Sequence, residues 1–392
     1  MKIFIQPNDV LFFRDGKPFE AGGDHIARLN FPPTPITFYG ALRTALISLE
    51  LKNFDDFKDP NNLSKELQEV VGYANKIGVD TSGKPIFEIC NGTLKITGFG
   101  LGILNNGKLK KIYTVPADVV KEKNSDKYFI LFPGEMNVNE KVNMPIKDLM
   151  PLTNNNTVGK FLEEPAGFIT EDGLNAYWKN AELSENHFVS VNEIFKGEPR
   201  VCVSRDYKTH TAKEGMLYSI EFARMNEKVN DRINEEAGFY IEIEGLDKFE
   251  EKMKTQKAIK LGGESKSALC NYKVDWNPPI KPNISGHFKI VTLTHSIFEN
   301  GWLPDGIDSK GEGKIEGVEV KLISAAMRKH VGIGGWDIVN NKSKPVRRAV
   351  PAGSVFHFKV ISGNSERLSN KLLINIGQET EKGLGQAIIG GF

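Results

Sequence analysis

At 392 residues and roughly 150 residues per domain, the chain has length for two to three domains and at least one sizeable core, which excludes fibrous and miniature scaffolds. Its 51 Lys and Arg offset 50 Asp and Glu to a net charge of +1, so a polyanion partner must be held by local basic patches, and a histone-like or tail-driven binder is excluded. With 40% apolar residues and 24 Phe, the composition is that of a folded protein and not of a disordered one.

The opening run from Lys2 to Gln6 reads as a buried strand that Pro7 ends. Charges at Asp9 and Arg14 follow too soon for a secretory core or a membrane span, and Cys90, Cys202 and Cys270 form no CxxC pair. Both features predict a cytoplasmic protein with no membrane partner. Gly and Pro then forbid regular structure from Phe12 to Asp24, while the aromatics there predict that the loop packs against something. After Pro32-Pro33-Thr34-Pro35, a helix is expected with Thr37 as N-cap and Phe38, Ala41, Leu42, Ala45, Leu46 and Leu49 on one face.

From about residue 54 to 197 the pattern weakens to short strand-like runs, Thr93 to Phe99 and Tyr128 to Phe132, and the segment reads as an insertion. Strand-forming runs resume at Arg200 to Arg205 and Met216 to Ala223 around a polar tip, which is a hairpin. Phe239 to Glu244 alternates as a half-buried strand, and Leu246, Phe249 and Met253 mark a short helix. Pro278-Pro279 is taken as a domain boundary, giving units 1–277 and 278–392. The second unit offers strands at His287 to Thr294, Gly317 to Ser324 and Val355 to Ile361, a helix from Arg367 to Ile376, and a glycine loop, Gly383-Leu384-Gly385-Gln386, before a terminal strand. The fold class is α+β, two split βαβ units.

The sequence has no GxxxxGK[ST] loop, HExxH, GxSxG or EF-hand loop, so the commonest hydrolase, kinase and metalloprotease mechanisms lack their minimal parts; no catalytic residue, cofactor or metal is expected. The Gly98-Phe99-Gly100-Leu101-Gly102 run lacks the spacing of a dinucleotide loop. Four places suit an anionic ligand instead. Arg205, Lys208, His210 and Lys213 surround Tyr207 at the hairpin tip, a combination that offers cations to phosphates and a ring to a base. Lys342, Lys344, Arg347 and Arg348 follow Trp336. Arg14, Arg28 and Arg43 would make an anion site if the opening loop folds over the helix N-terminus. Finally, Gly383 and Gly385 would let backbone N–H groups approach a phosphate. A solvated surface or an ordinary turn accounts for each equally simply. Of seven scattered histidines, only His25 and His210 suit a general acid or base.

Phe13-Arg14-Asp15-Gly16-Lys17-Pro18-Phe19, Ala21-Gly22-Gly23-Asp24, Phe31-Pro32-Pro33 and Tyr39-Gly40-Ala41-Leu42-Arg43-Thr44-Ala45-Leu46 together resemble the third-subunit family of the type III-B CRISPR effector, the Cmr complex. The glycine loop before the last strand is similar to the signature of the wider repeat-associated mysterious protein (RAMP) superfamily, although Gln386 stands where that loop often carries an aromatic. The resemblance implies ferredoxin-like, RNA-recognition-type domains. It further implies a non-catalytic subunit in antiviral defence that grips the 5′ tag of the guide RNA beside the large polymerase-like signature subunit and the backbone RAMP subunit. Contact candidates are then Arg14, Arg28, Arg43, Arg205, Lys208, His210, Lys213, Lys266, Arg347, Arg348, Gly383, Gly385 and Gln386. Val10-Leu11-Phe12-Phe13 is a candidate partner surface, with core packing as its other reading. The competing function is a metal-independent endoribonuclease of the same superfamily, in which His25 or His210 would act with Lys208 or Tyr207.

Overall fold

The computed structural model describes residues 1–14, 26–53, 56, 59–79, 85–135, 144–226, 235–276, 283–284, 286–337 and 342–392. The chain is mostly strand with few and short helices. No described helix is long and apolar enough to cross a membrane.

Lys2–Pro7 is a central strand. Ile3 and Ile5 face one buried cluster and Phe4 the opposite one, with Tyr240 and Trp276, as the two-residue alternation of a strand requires. It pairs antiparallel with Glu235–Glu244 and Ser267–Asn271 in an eight-stranded sheet. The order across that sheet is Phe188–Val189, Phe168–Thr170, Lys108–Thr114, Lys95–Asn105, Glu235–Glu244, Lys2–Pro7, Ser267–Asn271 and Ala258–Lys260. The segment expected as an insertion therefore supplies four strands of this sheet, three of them inner. Its glycines explain why the pattern looked weak: a Cβ on Gly100 would lie 2.8 Å from the Tyr240 ring, and one on Gly98 3.0 Å from Glu242. The alternate glycines are gaps that large neighbouring side chains fill, and no loop lies there.

One face of the sheet is covered by the helix Pro35–Ile47, whose Phe38 ring lies 4.9 Å from those of Phe99 and Phe239. This helix starts earlier than expected, with Thr34 as N-cap, because Pro35 is pre-set for the first helical position and has no N–H to lose there. Val10, Leu11, Phe12 and Phe13 are all buried, which decides for core packing over an exposed partner surface. The hairpin forms as Phe195–Arg205 with Ala212–Met225, longer than expected, and Val10–Leu11 and Ile26–Ala27 pair with its second strand.

The C-terminal sheet is also antiparallel, in the order Glu312–Ile315, Val318–Ala326, Val355–Ser362, His287–Thr292, Gln386–Gly391 and Leu373–Asn375. The helix expected over 367–376 shrinks to Glu366–Ser369, because Leu373–Asn375 is drawn into the sheet edge instead. The boundary at 278 falls between the last strand of the first sheet and the first strand of the second, outside the described residues.

The two sheets meet at a buried seam. Gln386 spans it: its Oε1 accepts from the Phe99 N–H at 3.1 Å and its Nε2 donates to the Ile96 carbonyl at 3.0 Å. Nearby, Asp118 and Tyr177 meet Lys289 and His357 of the second sheet in a cluster closed to solvent.

Candidate nucleic-acid interface

The tip of the 195–225 hairpin is organised by its own residues. Asp206 Oδ1 accepts from the Lys208 and Thr209 N–H groups at 2.8 and 3.1 Å, and these bonds hold its carboxyl below the usual range. Arg205 donates from Nη2 to the His210 carbonyl at 3.1 Å, so its guanidinium braces the turn. This ordering turns Tyr207 outward at 92% exposure, with Lys208 and His210 exposed beside it. Lys213 lies on the second strand, and its side chain is outside the described residues. Cations at the hairpin base are occupied: Arg200 and Arg224 share Glu198 and Asp9, and Lys266 lies 5.1 Å from the Phe222 ring centroid.

Lys342 to Arg348 belongs to a second hairpin. Val331–Ile333 pairs with Arg347–Ala349 and Trp336–Asp337 with Lys342–Ser343. Strand alternation separates two neighbouring arginines. Arg347 turns inward, Nη2 at 2.6 Å from Glu379 Oε1, while Arg348 is exposed with Lys342 and Lys344. Trp336, 55% exposed, stands directly opposite Ser343, so alternation sets it on the other face of this hairpin from Lys342 and Lys344, whereas Ile333 and Ala349 anchor the base beside Leu384. The sequence singled out these cations but not the exposure of the tryptophan.

The other two expected anion sites do not form as expected. Arg43 lies about 12 Å along the helix from its N-terminus. Its Nη2 donates to the Gly72 carbonyl at 3.2 Å, and burial pulls its pKa down against the effect of Tyr39. Arg14 and Arg28 are exposed. The helix N-terminus itself is filled, since a Cβ on Gly383 would lie 3.0 Å from that of Pro35. The glycine loop is buried, and three of its backbone donors are spent: Gly383 N–H on Thr380 O at 3.0 Å, Gly385 N–H on His295 O at 2.9 Å and Gln386 N–H on the Thr294 hydroxyl at 3.0 Å. Gly383, Gly385 and Gln386 therefore serve the seam and leave nothing free for a phosphate.

His295 completes the seam by accepting the Ala352 N–H at Nδ1, 3.0 Å, and burial pushes its pKa down to about 4. The unfolded chain takes up the proton near pH 6.5 and the folded one only near 4, so stability is full above pH 6.5 and falls as the pH drops to 4. That loss should reach about 3 kcal/mol; urea titrations at pH 7 and 4.5 should show it, and His295→Gln should flatten the difference.

Among the described residues no three His, Cys, Asp or Glu side chains gather to hold a metal. His25 lies outside the described residues, and His210 has an exposed ring with no described side chain orienting it.

With this geometry in place, the comparison with known proteins is decisive for the family. The model for the CRISPR-associated protein family Cas_Cmr3 matches residues 3–392. The chain belongs to that family. A curated relative, the CRISPR system CMR subunit Cmr3 of Saccharolobus solfataricus, is 24% identical over 196 residues, 47% of this chain and 52% of that protein. The match thus spans about half of the relative's length. Among solved structures, a chain of the type III-B Cmr-beta complex bound to cognate target RNA is 18% identical, with a TM-score of 0.47 over 91% of this chain and 86% of that one. A chain of the Csm3-Csm4 subcomplex of the type III-A interference complex is 13% identical, with a TM-score of 0.37 over 93% and 95%.

Proposed function

We propose that this Cas_Cmr3 family member is a non-catalytic, cytoplasmic subunit of a type III-B effector in antiviral defence. It grips the 5′ tag of the guide RNA and docks the large polymerase-like subunit and the backbone RAMP subunit. The observation that carries the RNA reading is the pair of hairpins, each bearing an exposed aromatic, Tyr207 or Trp336, together with exposed cations, Lys208 or Lys342, Lys344 and Arg348. Rings stack on splayed bases and cations neutralise phosphates, which is how single strands are held without a deep pocket. Arg14, Arg28, His210 and Lys213 remain contact candidates on the same reasoning.

Two ferredoxin-like units are the framework of this reading. In the first, Ser267–Asn271, Lys2–Pro7, Glu235–Glu244 and Lys95–Asn105 lie in the spatial order 4-1-3-2 of a split βαβ unit. Gln386–Gly391, His287–Thr292, Val355–Ser362 and Val318–Ala326 repeat it, without a helix between the first two strands in sequence.

Binding of tagged RNA, measured across a salt series, tests the assignment. Lys208→Ala and Arg348→Ala should each weaken binding and reduce the salt slope by about one. Trp336→Ala should cost about 1–3 kcal/mol with the slope unchanged, because stacking releases no counterion. Unchanged affinity and slope in all three would remove both hairpins from the site. A cyclic-phosphate product formed from repeat RNA in EDTA and lost in His210→Ala would replace the reading with the endoribonuclease.

A further inference from the structure

Val119–Glu122 pairs with Tyr128–Ile130 on one side and Leu162–Glu163 on the other, a small sheet of its own. The turn leading into its third strand is fixed from within. Asn154 Oδ1 accepts from the Asn156 N–H at 2.9 Å, its amide donates to the Ile130 carbonyl at 2.8 Å, and the Thr157 hydroxyl donates back to the Asn154 carbonyl at 2.6 Å.

On this fixed turn the usual polarity is reversed. Lys160 folds inward, Nζ 3.1 Å from Glu122 Oε2 and 4.6 Å from the Phe129 ring centroid. Val158 and Phe161 point outward at 82% and 83% exposure, with Leu162 exposed beside them. Water exposure of two such side chains is unfavourable, and contiguous apolar surface on a rigid element marks an interaction site.

The surrounding charge selects the occupant. Glu163 and Glu164 are exposed next to the patch and border a cleft of about 1330 Å³, lined by eight Asp and Glu side chains against four Lys. Arg328 engages Glu164 at 2.7 Å, and the imbalance stays acidic. Such a field repels an RNA backbone and attracts cationic protein side chains.

We propose that Val158, Phe161 and Leu162 anchor a protein-docking surface whose occupant is a subunit presenting an apolar pocket edged by lysine or arginine. This rests on the subunit reading above and names a face for its protein contacts. RNA and protein then occupy opposite kinds of surface: cation-bearing hairpins for the first, an apolar lip in an acidic field for the second.

The test is assembly of the chain, co-expressed with the other effector subunits and guide RNA, followed by size exclusion. The double variant Val158→Ser, Phe161→Ser should enter the complex with about tenfold lower affinity, while its thermal unfolding and its affinity for tagged RNA stay at wild-type values. Glu163→Lys should slow association at low salt, with the difference vanishing at high salt. A wild-type chain that never assembles would sink the subunit reading itself. Wild-type assembly that the double variant matches would sink only this inference, as would a double variant that loses RNA affinity instead.

Discussion

Replacing Asp118 by Asn should lower the free energy of unfolding by about 3–5 kcal/mol, because it strands a charge that has no route to water. Asp118 and Lys289 are both 0% exposed, with Lys289 Nζ 3.4 Å from Asp118 Oδ2. The Tyr177 hydroxyl lies 2.9 and 2.8 Å from the two carboxylate oxygens, and His357 Nε2 is 3.6 Å from Oδ2. Burial alone would raise the carboxyl's pKa; Lys289, His357 and Tyr177 outweigh it and hold the group below its ordinary value. Its contribution is therefore present above the unfolded carboxylate pKa, about 3.9, and is lost as pH falls through the folded value. A double variant, Asp118→Leu with Lys289→Met, removes both charges together and should be less damaging than either single one. Urea unfolding of the three proteins checks this; a single variant within about 1 kcal/mol of wild type would mean that the cluster does not hold the sheets together.

Gly385→Ala should cost about 3 kcal/mol or more, and should do so without touching RNA affinity in the protein that remains folded. Gly385 has φ +68°, and a Cβ there would lie 1.9 Å from the Ile376 carbonyl oxygen. That carbonyl belongs to the strand-end segment whose own N–H donates to Gly385 O at 2.8 Å, so the clash is with backbone that the same pairing fixes. An alanine must adopt the left-handed conformation and also push the backbone apart. Thermal unfolding beside tag binding separates the possibilities: normal stability with lost binding would return the glycine loop to the RNA site.

Elements whose character is local were legible in the sequence. Lys2 to Gln6, the hairpin around Asp206 and the terminal strand each carry apolar or β-branched runs bounded by turn residues, and all three form. The glycine strand Lys95–Asn105 was legible only as far as Phe99, because the missing side chains of its glycines make sense only against Tyr240 and Glu242, far away in sequence. The glycine loop misled for the same reason: freedom to adopt positive φ is visible locally, whereas its burial depends on Ile96 and Pro35 across the seam. Lys289 did leave a signal, as a charge between Phe288 and Ile290 in a buried strand, which demands a buried counter-charge somewhere. Nothing local pointed to Asp118. In the candidate interface, residue types picked out the cations of both hairpins, but only alternation in the folded strand tells outward Arg348 from inward Arg347.

If RNA lies across the two aromatic-bearing hairpins, as proposed, its bases come within reach of Tyr207 and Trp336. Ultraviolet crosslinking of the purified chain to RNA carrying the 5′ tag, with the linked peptides mapped by mass spectrometry, tests it most directly. Crosslinks are expected at Tyr207 and Trp336, the rings exposed at these hairpins. Crosslinks confined to the acidic cleft or to the glycine loop, with both rings unmodified, would contradict it.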